Sequence, residues 1–294
     1  IRMTPTSAPP RLFDPARRKA RVQRAERAGT PVDFLHRRAA EGLADSLDAI
    51  PRDFSVVVDL SPRAGIFAEV LADHDAAARL GPVTTPVPLA DRVVPGEGAL
   101  GLEDGSVDLI VSVLGLHWAN DLPGALSQIR RALKPDGLFL GAMFGAGTLV
   151  ELRDVLTRAE LEVTGGAAPR VSPFADALDA AGLMQRAGFA LPVVDGDTVA
   201  VRYRDMSVLV RDLRGMGEAG APEGPRPALS RRTVAQAAGL YEERYSVTSD
   251  DARPRVQATF ETLFLTGWAP SPDQPKPLKP GSVAPGFRVA PRNG

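Results

Sequence analysis

A carboxylate that ends a β-branched run and opens onto a short turn is the first group in this chain with chemistry to offer. Residues 54–60 read Phe-Ser-Val-Val-Val-Asp-Leu and lead into Ser61-Pro62-Arg63-Ala64-Gly65. There Asp59, Ser61 and Gly65 suit a ligand bearing amine, hydroxyl and carboxylate groups, with backbone N–H donors from the helix that follows. The structural alternative for Asp59 is a cap or a strand-end turn. A second set is Leu116-His117-Trp118-Ala-Asn-Asp121-Leu-Pro123. His117 and Trp118 suit substrate positioning or a general base; the plainer readings are a hydrogen-bonded histidine and a Trp118 that packs as a lid. Asp121 suits a substrate contact, yet ahead of Leu122-Pro123 it is an excellent helix N-cap, and that reading prevails. Arg170, Arg211 and Arg214 are candidates for an anion, against the commoner surface ion pair. The histidines, His36, His74 and His117, lack metal-ligand spacing, and with no cysteine in the chain disulfides, thiolate metal sites and a thiol nucleophile are excluded. No metal site is expected.

These groups need elements to hold them. The run ending at Asp59 has the make-up of a buried parallel strand, and Ile66, Phe67, Val70 and Leu71 follow at helical spacing. Residues 107–113 read as a second buried strand that ends next to His117, with Ser112 at its carboxyl edge. A helix over 122–133, a stop at Lys134-Pro135-Asp136-Gly137 and a strand over 138–144 complete the pattern. Strand–helix alternation of this kind predicts an α/β, Rossmann-like doubly wound sheet, seven-stranded and mostly parallel, with helices on both faces. In such a sheet the ligand crevice lies at the carboxyl ends of the strands, which places 59–65, 96–97 and 112–117 around one crevice. Further on, helices are predicted over 149–163, 176–187, 206–213 and 233–245. Strands are predicted over 188–194, 198–203 and 257–266, and a breaker-rich loop over 216–229. The expected organisation is a basic N-terminal segment and amphipathic helix over 1–50, a main domain over 51–268 with an insertion at about 149–250, and a Pro-rich irregular tail over 269–294. The first 30 residues read either as a transit segment or, preferably, as a solvated basic helix.

Composition narrows the function. The chain has 294 residues, 35 basic against 36 acidic, and a net charge of −1. That balance gives nucleic acid little electrostatic grip, and no apolar run reaches the length of a membrane span. Arginine outnumbers lysine 31 to 4, which together with abundant Ala, Gly and Pro reads as genome composition.

Several stretches resemble the class I S-adenosylmethionine-dependent methyltransferase family, in the branch that holds the biotin-pathway methyltransferase, and most of all the respiratory complex I assembly factor 5 type. They are Asp104-Gly-Ser-Val-Asp108-Leu, Leu116-His-Trp-Ala-Asn-Asp-Leu-Pro123, Leu133-Lys-Pro-Asp-Gly137, Gly141-Ala-Met-Phe-Gly145, Thr148-Leu-Val-Glu-Leu-Arg153, Arg170-Val-Ser-Pro-Phe174, Met216-Gly-Glu-Ala219 and Thr266-Gly-Trp268. The resemblance implies S-adenosylmethionine as cofactor, with Asp59, Ser61, Gly65, Glu97 and Ser112 around it, and His117, Trp118 and Asp121 as the candidate catalytic groups. It implies a protein substrate or complex I subunit as partner, with peripheral membrane association through that partner. The compartment it implies is the cytoplasm in a bacterium and the mitochondrial matrix in a eukaryote. Two alternatives stand beside a methyltransferase: a non-catalytic assembly scaffold and a protein-arginine hydroxylase.

The chain departs from the family pattern at the ligand. Ser61 and Arg63 stand where the family's first two loop glycines belong, and no acid lies between Arg79 and Leu89, where the ribose-gripping carboxylate is placed. Gly96 takes the adenine-side acidic position, beside Glu97, and Ser271 replaces a histidine. Weakened cofactor binding is the expectation.

Overall fold

The computed structural model describes residues 11–28, 32–63, 65–85, 100–224, 227–248 and 253–274. Its seven strands form one sheet in the order β2-β1-β3-β4-β7-β5, with β6 pairing β7 off that path. β1 (Val57–Asp59), β2 (Val83–Thr84), β3 (Val107–Val113) and β4 (Leu133–Phe144) run parallel, and β5 (Ala190–Tyr203), β6 (Ser246–Thr248) and β7 (Pro254–Trp268) add antiparallel ladders.

Alternation along β4 shows how the sheet divides its core. Leu138, Leu140, Ala142 and Phe144 join the apolar cluster that includes α2 (Phe34–Asp48), α3 (Ile66–Leu71), α5 (Val150–Thr164), α7 (Met206–Gly215) and α8 (Arg231–Tyr245). Phe139 and Met143 join the opposite cluster, with α4 (Leu122–Ala132) and α6 (Ala177–Arg186). Side chains of period two on a sheet covered on both faces produce this split.

Three boundaries differ from the sequence reading. The predicted strands 188–194 and 198–203 are one strand, β5, continuously paired from Val193 to Tyr203 with β7. β5 ends the sheet, where a proline and a glycine are tolerated. β4 begins at Leu133, so the residues read as a helix stop lie inside the strand; Asp136 takes a left-handed φ of 62°. The basic N-terminal segment forms α1 (Pro15–Arg27), capped by Asp14, but it is not merely solvated. It packs on α7 and buries Arg18, Val22 and Ala25. The tail from 275 onward and the pair 96–97 lie outside the described residues.

Backbone closeness fixes how the first strand enters the sheet. A Cβ on Gly81 would lie 2.1 Å from the Ser55 carbonyl oxygen, and Gly81 N donates to Phe54 O at 2.7 Å. Gly81→Ala is therefore expected to cost about 1–3 kcal/mol through forced backbone displacement, read as a lower urea midpoint at unchanged m-value.

Candidate functional site

The carboxyl ends of β1 and β3 are adjacent, with Asp59 in register with Val111, and the intervening turn is packed shut by its own side chains. Asp59 and Ser61 are each 1% exposed. Asp59 Oδ1 accepts from Ser61 N at 2.8 Å and from the Ser61 hydroxyl, and that hydroxyl accepts from Val113 N at 2.8 Å. Pro62 closes over the next position: a Cβ on Gly115 would meet Pro62 Cδ at 2.9 Å and Ser112 Oγ at 3.3 Å. Ser112 is fully buried, and its hydroxyl has no hydrogen-bond partner among the described residues. Gly65 keeps the left-handed conformation of a glycine loop, φ 89°, as the N-cap of α3, while Arg63 reaches away to Val32 O at 2.8 Å.

The resemblance implies that the methionine end of S-adenosylmethionine lies against this turn. The residues present do not fit it. The carboxylate and hydroxyl there satisfy each other and the Val113 N–H, and Ser61 and Arg63 each bring a Cβ to a position that the family pattern leaves to glycine. Sequence reasoning brought Asp59, Ser61, Gly65 and Ser112 to one strand edge, and the structure places them there; Glu97 lies outside the described residues.

A different constellation gathers around His117 and Trp118. Both lie in a 3-10 turn, Leu116–Trp118, that follows β3. Glu218, in the loop after α7, is their partner: Trp118 Nε1 donates to its Oε2 at 2.8 Å, and His117 Nε2 lies 3.0 Å from the same oxygen. The other oxygen accepts from Arg18 Nη2 at 2.8 Å, and Arg18 also donates to Gly217 O. The guanidinium stacks 4.2 Å from the Trp118 ring centroid. His36 Nε2 lies 3.8 Å from Glu218 Oε1, too far to bond, and neither of its nitrogens has a hydrogen-bond partner among the described residues. Phe13 meets Trp118 edge-on at 5.0 Å, and Phe144 and Phe174 flank the His117 ring.

Burial governs the protonation of this centre. Burial alone would raise the Glu218 carboxyl, but Arg18, His117 and His36 together hold it far below the usual carboxylate range. Burial pushes His36 down from 6.5 to about 4 and lowers His117 as well, against the pull of Glu218. The centre is thus one buried ion pair, Arg18–Glu218, with two neutral imidazoles. With Nε2 donating to Glu218, His117 Nδ1 is the acceptor, and it takes the Phe144 N–H at 3.5 Å. His117 is held in one tautomer by a carboxylate, the arrangement that prepares an imidazole to take up a proton.

Asp121 is not part of this centre. It is exposed, and its Oδ1 accepts from Gly124 N at 2.8 Å as the N-cap of α4. Arg170 is paired with Glu160 rather than free for an anion. Sequence reasoning missed Glu218, Arg18 and His36 as site residues. Glu218 lies inside the Met216–Ala219 stretch, so its motif was visible although its role was not. Asp45, Asp48 and His74 bring ligand atoms within 4.8 Å of one another. Both His74 nitrogens, however, are taken by carboxylates, Asp48 at 2.8 Å and Glu41 at 2.9 Å, the geometry of an ion pair. Among the described residues, no helix is long and apolar enough to cross a membrane.

Comparison with known proteins places this architecture. Residues 54–141 match the family model described as a methyltransferase domain. The chain is 38% identical over 261 residues to arginine-hydroxylase NDUFAF5, mitochondrial, of Danio rerio, covering 85% of this chain and 80% of that protein. It is also 38% identical to the Homo sapiens protein of the same name, over 88% of this chain and 76% of the other. The malonyl-[acyl-carrier protein] O-methyltransferase of Halorhodospira halophila is 34% identical, over 81% and 82% of the two chains. A Bacillus halodurans C-125 structure (BH2331), named as a methyltransferase, superposes with a TM-score of 0.50 at 12% identity, over 79% of this chain and 99% of that one. It shares the fold.

Proposed function

The chain belongs to the methyltransferase-fold family of the mitochondrial NDUFAF5 proteins, and from that premise we propose that it acts on a protein partner during assembly of respiratory complex I (NADH dehydrogenase). The observation that carries this reading is identity of 38% over four fifths of both chains, against 34% over a similar span with the malonyl-[acyl-carrier protein] O-methyltransferase. The near-neutral charge supports a protein partner over nucleic acid. His117, oriented by Glu218, is the group we assign to positioning or deprotonating that partner's reacting side chain, once a path to the imidazole opens. The reaction itself is methyl transfer in one part of the family by name, and arginine hydroxylation in the NDUFAF5 proteins by name.

The shut turn at Asp59 and Ser61 specifically favours a second reading, an assembly protein that works without the cofactor. Calorimetric titration with S-adenosylmethionine and S-adenosylhomocysteine tests it. Two missing carboxylates, at roughly 1.5–3 kcal/mol per charged hydrogen bond, predict affinity at least about a hundredfold below relatives with the full glycine loop. Submicromolar binding would overturn that expectation. Deleting the gene and resolving complex I on native gels tests the assembly role, and unaltered assembly would reject it. Complementation with Asp59→Asn then separates the readings: rescue favours the cofactor-free role, and failure by a folded variant favours the catalytic one.

A further inference from the structure

A cleft of about 940 Å³ opens between α1, α5 and α7, with part of its wall from the loop that carries Glu218. Its floor is aliphatic, from Leu152 and Leu156 of α5 and Met206 and Val210 of α7, and its rim carries Arg21, Arg24 and Arg214. None of these three arginines has an ion pair among the described residues. The one acid lining the cleft among the described residues, Glu218, already serves Arg18, Trp118 and His117.

We propose that this cleft binds a single-chain amphiphile with an oxyanion head, the acyl chain lying along the aliphatic floor and a carboxylate or phosphate held by Arg21, Arg24 and Arg214. Three features argue for such an occupant. The volume is that of a small-ligand pocket rather than of a flat docking face. The arginines present forked donors, which match carboxylate and phosphate oxygens in pairs. The charge is also uncompensated: burial and then the neighbouring Arg17, Arg18, Arg24 and Arg214 depress the Arg21 guanidinium, so an anion relieves a repulsion already built into the fold. A cationic or neutral amphiphile gains the floor but not the rim. The cleft is separate from the Asp59 turn, and this assignment does not depend on which reaction the protein performs.

The test titrates the full chain calorimetrically with octanoate, decanoate and dodecanoate, each below its micelle concentration, and with dodecyl phosphate. Binding should tighten roughly fourfold for each added methylene if the chain is buried, and preference between dodecanoate and dodecyl phosphate identifies the head. Dodecyltrimethylammonium should fail to compete. Arg24→Glu and Arg214→Glu alter exposed side chains, so each should retain the native thermal midpoint while weakening dodecanoate at least tenfold. Leu156→Asp should abolish the chain-length dependence. Equal binding of the cationic amphiphile, affinity independent of chain length, affinity unchanged in both arginine variants, or binding of acidic peptides with none of the fatty acids would each overturn the proposal.

Discussion

Glu218→Ala is expected to cost about 3–5 kcal/mol of stability, because it strands a buried guanidinium without its counter-ion. The loss extends beyond one pair. Trp118 Nε1 and His117 Nε2 give up their acceptor at the same time, and each unsatisfied buried donor adds about 1–3 kcal/mol if water does not enter. Against a typical total of about 5–15 kcal/mol, the variant sits near the edge of folding. Urea unfolding followed by far-ultraviolet dichroism reads the effect as a lower midpoint at unchanged slope. Glu218→Gln is the informative control: its amide oxygen still accepts from Trp118, so the difference between Gln and Ala isolates the hydrogen bonds from the charge. A loss below about 1 kcal/mol in Glu218→Ala would show that the centre is hydrated in solution and not the buried pair described above.

The same centre should make the protein acid-labile well before most carboxylates titrate. The folded-state pKa of His36 is depressed, about 4 against 6.5, by burial first and then by Arg63, Arg18 and His117, with Glu218 opposing. A depressed pKa means that the unfolded chain binds the proton more readily. The stabilisation is therefore complete above 6.5 and is lost as pH falls toward 4. For His36 the loss is on the order of 3 kcal/mol, and His117 acts in the same direction. Glu218, also depressed, adds its own loss only below the ordinary carboxylate range. His74 runs the opposite way. Glu41 and Asp48 raise its pKa, so its contribution is present at low pH and fades as pH climbs through the raised value; at the surface such pairs are weak. His36→Leu removes the titrating group, whose nitrogens make no hydrogen bond. Its stability should fall much less between pH 6.5 and 4 than that of the parent chain, measured by urea midpoints at fixed ionic strength. Parallel pH profiles for the two proteins would remove His36 from the account.

What the sequence disclosed and what it concealed follow one physical division. Local signals were legible. The β-branched run ending at Asp59, the strand over 138–144 and the Asp121-Leu122-Pro123 cap each depend on neighbours within a few residues, and each takes the expected place. The split of β5 failed because Asp195-Gly196-Asp197 looks like a turn on its own, whereas the ladder to β7 supplies Leu263 and its neighbours as partners across that stretch. No local rule carries that information. Arg18 shows the limit more sharply. An arginine among six other basic residues over 11–27 reads as solvated, and only the fold brings Glu218, Gly217 and the face of Trp118 to it. The turn at Ser61 lies between these cases: its departure from glycine was plain, while the bond from Val113 N that locks it shut required the adjacent strand.

The reach of the Arg18 pair also sets a schedule for biosynthesis. Arg18 is made 200 residues ahead of Glu218, and the strap that joins Phe13 to Pro222 and Asp14 N to Ala221 O spans a similar length of chain. At translation rates of roughly 5–20 residues per second, α1 waits about 10–40 s after leaving the ribosome before Glu218 exists. Throughout that interval Arg18 lacks its counter-ion, although Trp118, on which it stacks, is made about halfway through. Helix α1 is thus completed late, and a nascent chain halted before residue 217 leaves Arg18 without its carboxylate and carbonyl partners.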